Sequence, residues 1–150
     1  MKLERIRIGD RDLPIRIDYN VIEEIEEEFE TLERFRMELL GFRWKRMDDG
    51  KYEYDDEGKP IPEITKPSMK AMNFILPLMI NEGLKAEAYE QKKPYDPMDP
   101  EQILMECEIE KNYMLNIINR EMERCQSVKK SIPGEENGKS KRRSTSPGSK

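Results

Sequence analysis

Two acidic runs are the residues of this 150-residue chain best suited to chemistry, because neighbouring carboxylates are what a Mg²⁺ or Ca²⁺ site requires. Asp48-Asp49-Gly50 and Asp55-Asp56-Glu57-Gly58 each gather acids beside a glycine. Neither follows the calcium-loop spacing D-x-[DN]-x-[DN]-G with a later Glu, and Asp pairs beside Gly are ordinary turn formers. The run Glu23–Glu30 reads as a solvated helix face rather than a ligand cluster. Gly134-Glu135-Glu136-Asn137-Gly138-Lys139-Ser140 approaches the phosphate-binding pattern G-x-x-x-x-G-K-[ST] but is one residue short. Neither a strand before it nor a helix after it is expected. There is no histidine, which removes the commonest general base near neutral pH, the Ser-His and Cys-His nucleophile systems and every His-containing metal site. The residues point away from catalysis: no catalytic, metal or cofactor-binding set is assigned, and a carboxylate-metal enzyme is the weakest reading.

The elements that must position any site draw on little apolar material. Leu, Ile, Val and Phe make up about a fifth of the chain, close to the ~20% level associated with disorder, and 10 Met supply much of the remaining apolar volume. Thioether side chains fill irregular gaps and adapt to varied partners. Charge is uneven. Residues 127–150 carry seven Lys/Arg against Glu135 and Glu136, and the overall charge is −5, so the body before them is strongly acidic. Such a body repels nucleic-acid phosphates. Cys107 and Cys125 fall in what reads as one helix, ~27 Å apart along its axis, so no bridge is expected between them and free thiols suit a reducing cytoplasm. No signal peptide or membrane segment is read from the sequence.

Leu3–Ile8 and Leu13–Ile17 alternate apolar and polar residues around the turn residues Gly9-Asp10, as a one-sided hairpin does. Asp18 caps the next helix, with Ile17 and Ile22 placed as a hydrophobic staple. Val21, Ile22, Ile25, Phe29 and Leu32 recur at helical spacing, and Thr31 starts a further helical stretch that stops at Gly41. Residues 42–66 read as an inserted hairpin, Phe42–Arg46 with Lys51–Tyr54 around Asp49-Gly50, followed by an extended connector kept from helix by Pro60, Pro62 and Pro67. Its Trp44, Tyr52 and Tyr54 are either cross-strand packing or an exposed aromatic patch. From Ser68 a helix apolar nearly all round belongs at the centre of a bundle, with a kink expected at Pro77. Asp99-Pro100-Glu101-Gln102 opens a last helix that reads to residue 126. The tail from Ser127, with Gly, Ser, Pro and Lys, should be disordered. The fold class is therefore α+β: a small N-terminal hairpin packed on a mainly helical bundle in one domain, 1–126, with an inserted hairpin and a basic tail.

The passage from Ile15-Arg16-Ile17 through Asp18-Tyr19-Asn20 into Ile22-Glu23-Glu24-Ile25-Glu26-Glu27-Glu28-Phe29 resembles the tail assembly chaperones of long-tailed bacteriophages. In that family a small hairpin precedes a D-x-N-x-(L/I)-x-x-(L/I/F)-E-E helix and an all-helical remainder follows. Leu78-Met79-Ile80-Asn81-Glu82-Gly83-Leu84 stands where the family's central helix reads like (L)LWAGL, without its Trp. The resemblance implies a non-enzymatic protein of the host cytoplasm, absent from the mature virion. It would coat the apolar tape-measure protein and help tail-tube subunits assemble, and a frameshifted, extended product is often made. The implied partners are the tape-measure and tail-tube proteins and a possible homo-oligomer, with no nucleic acid and no membrane. The contact residues expected on this reading are Ile22, Ile25, Phe29, Met114 and Met122 on exposed parts of the helices, with Lys129, Lys130, Lys141, Arg142 and Arg143 adding a salt-sensitive contribution. A small intracellular adaptor is the alternative.

Overall fold

A computed structural model describes residues 2–131, with side chains through Ser127. Strands β1 (Glu4–Ile8) and β2 (Arg11–Ile15) pair antiparallel, with Ile8 opposite Arg11 and Ile6 opposite Leu13. Only Gly9-Asp10 connects them, and Gly9 at φ 61° supplies the positive first position of a type II′ turn. Ile6, Ile8, Leu13 and Ile15 are buried, as a two-stranded ribbon needs if it is to persist in water.

Helix α1 (Tyr19–Phe29) begins where Asp18 accepts hydrogen bonds from the N–H groups of Asn20 and Val21 at 3.1 and 3.4 Å. It ends at Glu30, whose φ of 75° turns the chain without a glycine. Helix α2 (Leu32–Leu40) then starts at Thr31, whose hydroxyl accepts from the Arg34 N–H at 3.0 Å. Gly41 closes it in the left-handed region, where a Cβ would lie 2.7 Å from the Pro67 nitrogen.

Helix α3 (Met69–Gln91) is capped by Ser68 and runs on through Pro77, whose missing N–H leaves the Asn73 carbonyl without its helical donor. It is the central element, packing on β2, α1 and α2, and on α4 (Pro100–Glu106). The crossing with β2 is unusually close. A Cβ at Gly83 would sit 2.4 Å from the Pro14 carbonyl oxygen, and the Arg16 N–H donates to the Met79 carbonyl at 3.0 Å. Strand backbone thus rests directly on helix backbone. Along the same helix the Asn81 amide holds the following loop, donating to the Met98 carbonyl and accepting from its N–H at 3.0 and 2.8 Å.

Expectations for the C-terminal part are corrected. The helix expected from Asp99 to residue 126 is two: α4 ends at Cys107, and α5 (Lys111–Ser131) restarts after Glu110, whose carboxylate accepts from the Tyr113 N–H at 2.9 Å. The axial separation inferred for Cys107 and Cys125 therefore lapses, and the two cysteines form no disulfide. Asp99 stands at the start of α4 but makes no capping bond there, and Gln102 instead donates to Glu106. The helix also continues past Ser127 to Ser131, so the expected tail boundary moves; the remainder of the expected disorder, 132–150, lies outside the described residues.

The chain divides into two units, Met1–Leu115 and Asn116–Lys150, with the boundary inside α5. In the second unit, Arg124 grips the buried Glu121 carboxylate through Nε and Nη2, both at 2.9 Å.

The inserted segment also differs from expectation. Strand β3 (Phe42–Trp44) pairs not with Lys51–Tyr54 but with β4 (Pro62–Ile64). The Asp49-Gly50 turn forms, closed by the bridge between Arg46 and Tyr52, and a second turn at Asp56-Glu57 is closed by Tyr54 and Pro60. Where the arms meet, three backbone bonds form a ring. Lys45 N–H donates to Ile61, Ile61 N–H to Glu53, and Glu53 N–H to Lys45, at 2.7, 3.2 and 3.0 Å. The described residues thus form an α+β chain with an N-terminal hairpin, five helices and a second two-stranded sheet. No helix among them is long and apolar enough to cross a membrane.

Candidate functional site

The short link from α2 to β3 sends the chain back alongside the helix, and an open groove of about 1150 Å³ lies between them. Residues of α2 and its N-terminal approach form one wall: Glu30, Thr31, Glu33, Arg34, Met37 and Glu38. Phe35 and Leu39 are buried, which leaves Arg34, Met37 and Glu38 to face the groove. The insert forms the other wall with Phe42, Arg43, Trp44, Arg46, Tyr52, Glu63, Thr65 and Lys66. Two backbone bonds fix the walls together, from the Thr65 N–H to the Gly41 carbonyl at 2.7 Å and from the Ser68 N–H to the Glu38 carbonyl at 3.0 Å.

The groove is apolar in the middle and charged along its sides. Met37, Phe42 and Trp44 are half-buried, and the rings of Phe42 and Trp44 meet edge to face at 5.7 Å. Arg34 bridges Glu30 and Glu38 at 2.6 and 3.6 Å, and with Glu33 the α2 wall carries three carboxylates and one cation. On the insert, Arg43 reaches Glu63 at 2.7 Å, while the Arg46 guanidinium stacks 4.7 Å from the centre of the Tyr52 ring. The insert wall carries three cations, Arg43, Arg46 and Lys66, and one carboxylate, Glu63. One wall is therefore net negative and the other net positive. Of the aromatic residues, Trp44 packs along its own strand on Phe42 instead of across strands, and Tyr52 and Tyr54 are exposed.

A second cluster lies where α1 meets α3. Glu82, with a side chain only 12% exposed, accepts from the Asn20 amide at 2.9 Å and sits 3.4 Å from the Lys85 ammonium. Burial pushes its carboxyl above the usual range, and a hydrogen bond with Asp18 pushes it further. Asp18 in turn accepts from Arg16 at 3.2 Å. The Tyr95 phenol, also raised by burial, lies under Lys85. In the Asp-x-Asn pair of the sequence, Asp18 thus caps α1 while Asn20 reaches across to α3. These groups satisfy one another, and none of them lines the groove. Among the described residues, no group of three or more His, Cys, Asp or Glu is arranged to hold a metal ion.

The contact residues expected from the sequence fall elsewhere. Ile25 and Phe29 are core, not surface: the apolar stripe of α1 is used up within the bundle, where the Phe29 ring meets Phe35 at 5.0 Å and Phe74 at 5.4 Å. Met114 and Met122 are also buried, at 5% and 2% exposure, so neither is available on the surface of this structure. Ile22 is half-buried. Lys129 and Lys130 belong to the last turns of α5, with side chains outside the described atoms, and Lys141, Arg142 and Arg143 lie outside the described residues altogether. Sequence reading missed the α2 wall. The available signal was the repeat of Arg34, Met37 and Glu38 on one helical face next to the Phe35–Leu39 face, followed at once by Gly41 and a strand.

No family model matches this chain, and neither a curated protein nor a solved structure is similar to it.

Proposed function

We propose that this chain is a non-enzymatic tail assembly chaperone that keeps the apolar tape-measure protein of a long-tailed bacteriophage soluble while tail-tube subunits assemble around it. The observation that carries the reading is the join at Asp18. A two-strand hairpin passes into a helix capped by the aspartate of the Asp-x-Asn pair, the arrangement on which the resemblance rests. The open groove supports a protein partner. It is lined by half-buried aromatic and thioether groups between charged sides, a surface suited to another chain. An apolar helix left unpartnered aggregates unless its face is covered, which is the task such a surface performs.

Co-expression with the tape-measure protein encoded downstream tests the reading. The expected result is a larger soluble fraction of that protein, co-purifying with this chain. Unchanged solubility, with the unextended and any extended product alike, would remove the proposal.

A further inference from the structure

We infer that the groove between α2 and the insert docks one amphipathic helix of a partner protein, and that its opposed walls fix the direction in which that helix lies. The occupant has an apolar ridge, Lys or Arg on the flank meeting α2, and Asp or Glu on the flank meeting the insert. This deepens the chaperone reading by naming the segment recognised, and it rests on that reading only for the source of the helix.

Size and charge argue for a helix. With side chains an α-helix is roughly 10 Å across and rises 5.4 Å per turn, so one turn fills roughly 420 Å³. An open groove of about 1150 Å³ has room for a short helix lying along it. Sites that enclose small molecules are typically ~300–1,000 Å³, dominated by apolar lining with a few polar groups, whereas both sides here are dense with charge. Most of that charge is internally paired. Glu33 on the α2 wall and Lys66 on the insert wall have no ion-pair partner among the described residues, and they stand on opposite sides of the apolar strip. A helix laid between them gains from both only when its own flanks differ in sign. Turning it end for end would set like charge against like on both sides, which is how the groove selects direction.

Trp44 is the chain's single tryptophan and lines the groove, so its emission reports on this site. The probes are three synthetic helical peptides of three turns with the same Leu ridge: one with a Lys flank and a Glu flank, one with Lys on both flanks, one with Glu on both. The mixed peptide is expected to bind at least about tenfold more tightly than either control and to shift Trp44 emission. In Glu33→Gln/Lys66→Gln, which breaks no ion pair and removes the charge from both sides, that preference should shrink to within about threefold while the melting temperature stays unchanged. Equal binding of the three peptides, binding without a Trp44 response, or a preference that survives the double substitution would each overturn the inference. Peptide binding as expected, with no solubilisation of the tape-measure protein, would sink the chaperone function and leave the groove standing. Solubilisation that the double substitution leaves intact would do the reverse.

Discussion

Gly83→Ala should destabilise the protein, against the ordinary preference of helices. In an exposed helix interior alanine is favoured over glycine by about 1 kcal/mol. Here the added Cβ would lie 2.4 and 2.5 Å from the Pro14 carbonyl oxygen and carbon and 2.8 Å from the Ile15 Cα. These are backbone atoms, so no rotamer change relieves the contact. Strand β2 would have to withdraw by roughly an ångström, an overpacking strain that typically costs about 1–3 kcal/mol. Withdrawal also stretches the Arg16–Met79 bond and lifts the buried Leu13, Ile15 and Ile17 off α3. A buried backbone group left unpaired costs about 1–3 kcal/mol more. Set against the propensity gain, the net loss is about 2–3 kcal/mol, or roughly 5–10 °C in Tm for a chain of this size. Urea and thermal melts followed by far-ultraviolet circular dichroism would measure it, with Asn73→Ala, exposed on the same helix, as the control for propensity alone. If Gly83→Ala melts at or above the wild-type temperature, the close strand-on-helix crossing is not a constraint and the reasoning fails.

Two further outcomes follow from the geometry. Because burial and Asp18 raise the Glu82 carboxyl, the folded chain holds that proton more tightly than the unfolded chain. The stability this group lends is therefore full below the ordinary carboxylate range and lost as pH rises through the raised value. Glu82→Gln should flatten that part of the profile and raise the urea midpoint at pH 7 relative to pH 4.5; an unchanged difference between the two proteins at both pH values would contradict it. Replacing Arg43–Glu63 by two turn residues should leave a cooperatively melting protein, since Phe42 and Ile64 are register partners whose Cα atoms a short turn can span, about 5 Å apart in such pairs. Loss of cooperative melting would mean that Trp44 and its neighbours stabilise the body.

What was legible in the sequence was local. Asp18, Thr31 and Ser68 each cap a helix through a bond to an N–H two or three residues away, so residue type and position suffice to find them. Glu110 does the same job before α5, but glutamate carries no such signal, and one helix was therefore read where there are two. The partner of β3 lies beyond two turns, and the Asp49-Gly50 signal speaks only for the nearer one. Periodicity marked Ile25 and Phe29 as an apolar face without saying which neighbour covers it; Phe35 and Phe74 do. Gly83 reads as a weak point of a helix until β2 is seen lying on it. The groove depends on two elements meeting, and neither wall announces it alone.

The ring of backbone bonds at Lys45, Glu53 and Ile61 also sets an order of assembly. Read along the chain, pairing Trp44 with Pro62 must close a loop of about 17 residues, an entropy cost that grows with loop length. Each outer arm closes over only a few residues around its own glycine turn and can form on the microsecond scale of isolated hairpins. Once both have formed, the separation that remains between β3 and β4 is a few residues, and closure becomes easier by about 1 kcal/mol. The stem therefore zips last, after its tips. The wall of the groove that carries Trp44 is thus completed only after the two turns beyond it have closed.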